Sequence, residues 1–498
     1  LKARPHVVLI MADQLRRDAF GEHTPHLNRL REESVNFERA YCASPLCVPA
    51  RGAFFTGKYP NVTGSIINPW FEPEKKHGDI RPGHAHWYDL LEKEWDSWHA
   101  GKQHLFAEPK PEHHPGTQTH WLPLEGRYEA FLKEHEKRKP GGAAFQSAVP
   151  EQAFGKITRR RRYSIPAIDV YEEGFDYFYD GFIMRDALHA LRHRDPGKPF
   201  ALSANFLAPH PPLHIPQPWF SMIGEVELPE NVGQWGANQS PLQLYNLPGM
   251  LGSAYTRGQW EPVWKVYLGL VALLDHCVGE LLEELKRQGI YDETLIIFTS
   301  DHGEMLGSHQ LWQKMCMYEE AVRTPLFMKF PASFNTPVRR SEELVSAVDI
   351  LPTLCDYLQL DPPEGMSGVS LMPLIRKGGP RLERERIFIQ FDGNGGRGNF
   401  QRCVIEGAYK LIVDLFKDEL FIELYDIASD LPEMNNLAFD PDQAARIRRM
   451  LGELKVHMKE TSDLLTFPDE AYERFLADYG PVRTVSNDDV QAQKEGSR

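Results

Sequence analysis

Cysteine is scarce in this chain. Six occur among 498 residues, at positions 42, 47, 277, 316, 355 and 403. The only close pair is Cys42 and Cys47, and no Cys-x-x-Cys occurs. That spacing excludes a disulfide-built scaffold and a zinc-finger pattern. Long apolar runs are missing as well. None approaches the roughly 20 residues that cross a bilayer as a helix, so no membrane partner is expected. Positive charge is also short: 56 Lys and Arg stand against 70 Asp and Glu, a net charge of −14. This excludes a general binder of nucleic acid or of anionic membrane. A strand-like run begins almost at once, at His6, and no signal peptide is visible in the sequence before it. A cytoplasmic location is the expectation, or a periplasmic or secreted one if a leader has been removed.

What is present suits a folded protein of two domains. Hydrophobic residues make up 42% and charged residues 25%, a globular balance, and the length exceeds one ordinary domain. His6 to Asp13 (HVVLIMAD) is a continuous apolar run ending in a carboxylate, the pattern of a strand covered on both faces. Thr24 and Pro25 can start a helix with Leu27 and Leu30 on one side. A second helix is expected from Pro49 to Thr56, with Cys47 just ahead of it. Buried strands are expected at Pro199 to Asn205, Thr294 to Ser300 and Thr324 to Phe330. A long amphipathic helix from about Val263 to Gln288 repeats Tyr267, Leu270, Leu274, Val278, Leu281 and Leu285, and Gly289 ends it. A further helix is expected from Glu342 to Leu358. Strands alternating with helices predict an α/β domain, its mixed, mostly parallel sheet lying between helices.

Between about residues 65 and 195 the periodicity weakens, and all ten tryptophans fall between Trp70 and Trp312. This reads as irregular loops with partly buried aromatics; the alternative is that some rings line a substrate cleft. Arg159 to Arg162 reads as a solvated loop, or as a holder of an anionic substrate. Breakers at Lys377 to Pro380 mark a boundary, giving domains 1–378 and 379–498. Beyond it, Ile387 to Phe391, Cys403 to Glu406, Tyr409 to Asp414 and Phe421 to Tyr425 look like short antiparallel strands. A helix from Asp440 to Lys459 follows, and the two together make a small α+β unit. From about Ser486 the chain is polar and expected to fray.

Two of the apolar runs end in groups that can bind a cation: Asp13-Gln14, and Asp301-His302 after TLIIFTS. Sheet ligands collect at the carboxyl ends of strands. Two carboxylates, one amide oxygen and one imidazole can hold a divalent ion.

Residues 44 to 57 read SPLCVPARGAFFTG. The stretch Cys47-x-Pro49-x-Arg51 resembles the modification signature of the type I sulfatases, in which the cysteine is oxidised to formylglycine. Other segments are similar to that family in the same order: MADQ, TPHLNRL, GKQH at 101–104, APHPP at 208–212, TSDHGEMLGSH and LYDIASDLPEMNNLA. The resemblance spans roughly residues 6 to 440. It implies an alkaline-phosphatase-like fold and hydrolysis of a sulfate ester. In that chemistry the aldehyde hydrates to a diol. One hydroxyl attacks sulfur, the alcohol leaves, and the second hydroxyl expels sulfate. A serine, with one oxygen, could not do this.

The resemblance also implies roles. Asp13, Gln14, Asp301 and His302 bind the metal, joined by modified Cys47. Arg51 holds the diol oxygens, and Lys102 contacts diol and sulfate. His104 is the base for the second hydroxyl, His210 the acid for the leaving alcohol, and Lys314 binds a sulfate oxygen. Implied partners are a sulfated small molecule or glycan and a formylglycine-generating enzyme.

Two departures stand out. Many sulfatases have two aspartates where this chain has Asp13-Gln14, and asparagine where it has His302. Less negative charge and one nitrogen donor weaken a hard Ca²⁺ site and favour Mn²⁺ or another transition ion; Ca²⁺ stays the first choice. The same Asp-Gln and Asp-His pairs look like those of phosphonate monoester hydrolases, whereas Lys102 and His104 fit the sulfatase pattern better. The expected activity is a sulfatase acting on a sulfated carbohydrate. The rivals are a phosphonate or phosphodiester hydrolase on the same fold, and a non-catalytic protein that binds sulfated glycans.

Overall fold

Strand β1 (His6–Asp13) is buried along its whole length. Successive side chains of a strand point to opposite faces. Val8, Ile10 and Ala12 therefore enter one apolar cluster, and Val7, Leu9 and Met11 another. A strand that is apolar at every position needs cover on both sides. The computed structural model, which describes residues 4–480 except 154–155, 335, 377–381, 383 and 395–397, supplies it.

The further strands of this sheet are β2 (Val35–Tyr41), β3 (Asp96–Gly101), β4 (His120–Pro123), β5 (Phe200–Pro209), β6 (Thr294–Ser300), β7 (Leu326–Lys329) and β8 (Arg340–Ser346). Their order is β8-β2-β7-β6-β1-β5-β3-β4. All neighbours are parallel except β7, which runs against both β6 and β2. Helices α1 (Pro25–Glu32), α3 (Tyr179–His193) and α4 (Arg257–Arg287) cover one face. Helices α2 (Cys47–Thr56) and α5 (Ile350–Leu358) cover the other.

A second sheet is antiparallel, in the order β9 (Arg386–Phe391), β10 (Phe400–Glu406), β11 (Tyr409–Phe416) and β12 (Glu419–Asp426). Helix α6 (Ala444–Glu460) packs on its outer face through Ile447, Met450, Leu451 and Leu454. Its inner face, with Cys403, Ile405, Ile412 and Tyr425, packs on the first domain. Among the described residues no helix is long and apolar enough to cross a membrane.

Three expectations need correction. The stretch expected as one helix from Glu342 begins as strand β8, and helix starts only at Ile350. Pairing of Leu344, Val345 and Ser346 with β2 outweighs the helical preference of the glutamates. Arg159 to Arg162 lie on a strand, paired with Gln146–Ala153, rather than in a loop. The weakly periodic region holds β3, β4 and α3, which its Trp, His and Gly content concealed. The breakers at Lys377 to Pro380 and the tail from Ser486 lie outside the described residues.

Candidate active site

Four neighbouring strands, β6, β1, β5 and β3, end at one edge of the sheet, and each delivers a predicted residue there. Asp13 closes β1, Asp301 follows β6, His210 follows β5 and Lys102 follows β3. The turn after β1 puts Gln14 at φ 67°. The turn after β3 is possible because position 101 is glycine, at φ 99°. A Cβ there would lie 2.1 Å from the carbonyl oxygen of Asn205.

Helix α2 meets this edge end-on. Cys47 is its first residue, and Arg51 follows one turn later on the same side. The Val48 N–H donates to Asn68 Oδ1 at 2.9 Å, which satisfies one free donor of the first turn. The partial positive charge of the helix start adds to the attraction for an anion.

The groups converge. Cys47 Sγ lies 3.2 Å from His302 Nε2 and 3.9 Å from Asp13 Oδ1. His302 Nε2 is 3.6 Å from Asp301 Oδ1 and 4.0 Å from Asp13 Oδ1. One ligand atom from each of Asp13, Cys47, Asp301 and His302 falls within 4.8 Å of the others, and all four residues are buried. Donors around one ion at roughly 2.3–2.6 Å lie no more than about 5 Å apart, so the set fits a divalent cation. The Gln14 backbone N–H donates to Asp301 Oδ1 at 3.1 Å, which ties residue 14 to this cluster.

Cations ring the carboxylates. Arg51 pairs with Asp301 at 3.0 Å and Asp13 at 3.5 Å, and Lys102 pairs with Asp13. Burial raises the Asp13 carboxyl, as does Cys47, but Lys102, His210 and Arg51 outweigh both and hold it below the usual range. Burial also raises the Cys47 thiol. Lys102, Lys314 and His302 overcome that and place it well below an ordinary thiol.

The remaining predicted residues line the mouth. Lys314 Nζ donates to Gln14 Oε1 and, at 3.2 Å, to His210 Nε2. His210 Nδ1 is 2.6 Å from the Pro211 carbonyl oxygen. A carbonyl can only accept and an ammonium only donate, which assigns the proton to Nδ1 and the lone pair to Nε2. Burial, then Lys314, depresses its pKa. His104, at φ 36°, has Nε2 3.8 Å from Glu125 Oε1, and its side chain also faces the Cys47 thiol.

Cys47, Lys102, His104, His210 and Lys314 open into one cleft of about 400 Å³, walled by Asn68, Trp70, Glu125, Tyr179, Gln313 and Asn394. Among the described residues Trp70 is the only tryptophan on this wall. Trp87, Trp95, Trp260, Trp264 and Trp312 are buried in the core instead. Sequence reading missed three residues here, of which Asn205 and Glu304 are fully buried and Asn68 is half-buried. Asn205 accepts from Arg51 at 3.3 Å, Asn68 caps α2, and Glu304 accepts from Gln14. No local pattern marks the two asparagines. Glu304 lies two residues beyond His302, where a carboxylate next to a ligand pair was a signal.

The structure aligns over 92% of the chain, and 96% of the other, with a phosphonate monoester hydrolase of Agrobacterium radiobacter, at TM-score 0.75 and 24% identity. The chain is 26% identical to an arylsulfatase of Clostridium perfringens, covering 89% of this chain and 92% of that one. It is 27% identical to the multifunctional alkaline phosphatase superfamily protein PehA of Trinickia caryophylli, over 89% and 93%. Residues 307–461 match the family model described as N-sulphoglucosamine sulphohydrolase, C-terminal. Residues 5–360 match the model described as Sulfatase: with this site on an alkaline-phosphatase-like fold, the chain belongs to the sulfatase family and is a sulfuric ester hydrolase.

Proposed function

We propose that the enzyme hydrolyses a sulfate ester of a carbohydrate, with formylglycine made from Cys47 and one divalent cation. The observation that carries this is the meeting of Cys47 with Asp13, Asp301 and His302 beneath Lys102, Lys314 and His210, at the floor of one cleft. A hydrated formylglycine supplies the paired oxygens that attack sulfur and later release sulfate. Asp13, Gln14, Asp301, His302 and position 47 would hold the cation, which lowers the cost of negative charge on the nucleophile. The mixed oxygen and nitrogen donors suit Mn²⁺ as well as Ca²⁺, and Ca²⁺ is the first ion to test.

The other residues act on the anion. Lys102 and Lys314, buried with Arg51 behind them, bring fixed positive charge to the sulfuryl oxygens without reorganisation. His104 faces position 47, where a base for the second hydroxyl must stand. His210 holds its lone pair on Nε2 beside Lys314. An anion bound there favours the doubly protonated ring, which can then protonate the leaving alcohol. The sugar assignment is supported by the match of the C-terminal part to the N-sulphoglucosamine sulphohydrolase model. It is also supported by the polar wall of Asn68, Gln313, Asn394, Glu125 and Glu129, which stands with the aromatic rings of Trp70 and Tyr179.

The decisive experiment compares turnover of a sulfate monoester and a phosphonate monoester that share a leaving group. The sulfate ester is expected to be faster. A clear preference for the phosphonate overturns the reading. Peptide mass analysis of active protein is expected to find position 47 as formylglycine, and an untouched thiol there refutes the mechanism.

A further inference from the structure

The side-chain amide of Gln14 has two unlike ends, an oxygen that accepts and a nitrogen that donates. Only the oxygen can face a cation. Nothing in the dipeptide Asp13-Gln14 decides which end turns inward; its neighbours do. Gln14 Nε2 donates to Glu304 Oε2, and Gln14 Oε1 accepts from Lys314 Nζ. The other oxygen of Glu304 accepts the backbone N–H of Leu306 at 3.0 Å. Gln14 and Glu304 are both fully buried, so bulk water cannot stand in for either partner. A carboxylate accepts on both oxygens, and Glu304 meets the Gln14 amide on one and the Leu306 N–H on the other, with the Gln313 backbone N–H also donating to it. Its charge also faces the Lys314 ammonium across the neutral amide, which balances a buried cation that would otherwise be costly.

We infer that Glu304 is a positioning residue for this centre, locking the Gln14 amide with its oxygen turned towards Lys314 and the cation site. Glu304 does not line the cleft and acts through Gln14. The inference rests on the cation site proposed above.

Glu304→Gln keeps the shape and removes one acceptor. Its single oxygen goes to the Leu306 N–H, so its nitrogen faces Gln14. Two donors then meet unless Gln14 turns over, and turning over sets a nitrogen against Lys314. In the full-length protein, titration calorimetry with Ca²⁺ and with Mn²⁺ is expected to show binding weakened roughly 10- to 100-fold. A crystal structure of the variant is expected to show Lys314 Nζ withdrawn from residue 14. Gln14→Glu alone opposes two carboxylates and weakens binding too. The double variant Gln14→Glu/Glu304→Gln reverses the hydrogen bond between the two side chains and is expected to recover most of the affinity. A residue that merely supports the fold predicts no such recovery. If the Glu304→Gln single variant fails to fold, the double variant decides: metal binding supports the inference and its loss overturns it. A Glu304→Gln variant that binds metal like the parent, or a double variant no better than the singles, overturns it. A parent protein that binds neither ion refutes the cation site itself, and the position of Lys314 in the Glu304→Gln crystal structure then still decides the amide orientation.

Discussion

His104 and His210 share one cleft but are held differently, and their loss is expected to fail differently. His210 is tied at both nitrogens, to the Pro211 carbonyl and to Lys314. His104 instead stands between Glu125 and Cys47. His104→Ala should still allow sulfate transfer to the enzyme and should slow its release. Intact-mass analysis during turnover is expected to show the enzyme with one added sulfuryl group, and kcat falling roughly 10²- to 10⁴-fold. Turnover equal to the parent refutes His104 as the base. His210→Ala should instead slow the first transfer, most for esters of poorly acidic alcohols, where a proton is needed most. A rate loss independent of the leaving group refutes its acid role. The residue types of this site were legible from short motifs, because each motif places one group at a strand end. Asn205 and Asn68 were not, since their partners Arg51 and Val48 lie far away in sequence.

Elements set where these side chains stand. Strand β3 ends at Gly101 beside the Asn205 carbonyl of β5, and the Lys102 N–H then donates to that same oxygen at 2.9 Å. The close approach leaves no room for a Cβ, and the φ of 99° disfavours one independently. Gly101→Ala is expected to destabilise the protein by about 1–3 kcal/mol and to move Lys102 off Asp13. Thermal unfolding and kcat/KM should fall together, with unfolding of an unchanged midpoint as the result that refutes the packing argument. Strands β1 and β6 were legible because each reads apolar throughout, and α4 because its pattern repeats over many turns. Strand β8 was not, because the run EELV suits a helix as well as a strand and only its pairing with β2 decides.

At the scale of the whole molecule, the two sheets are joined through buried charge. Lys410, on β11 and fully buried, lies 2.7 Å from Glu319 and 2.8 Å from Glu433. It also donates to the Met317 carbonyl at 2.9 Å. Burial pushes Glu319 up, but Lys410 and Arg323 hold it below the usual range. Burial keeps Glu433 well above that range despite Lys410. Lys410→Met leaves Glu433 buried without its cation and Glu319 with Arg323 alone, and is expected to cost about 3–5 kcal/mol. Without the ammonium both carboxyls titrate higher in the folded state, Glu433 most, because Arg323 still faces Glu319. Their penalty is then absent below the unfolded carboxylate range and grows as pH rises through it. Urea unfolding at pH 5 and pH 8 is expected to show the larger loss at pH 8. An equal loss at both refutes the charge argument.

The chain's own order of residues determined the chemistry on offer: a cysteine set before proline and arginine, two strands ending in ligand pairs, and lysines and histidines in fixed short contexts. These are local facts, carried by neighbours in sequence. Tertiary structure decided the rest, because it depends on contacts between distant segments. The strand order β6-β1-β5-β3 sets four chain ends side by side, α2 points its first residue at them, and Glu304 meets Gln14 across 290 positions. No local signal fixes such meetings, since they arise only when both faces of the sheet are covered and its carboxyl edge is left to gather the charges.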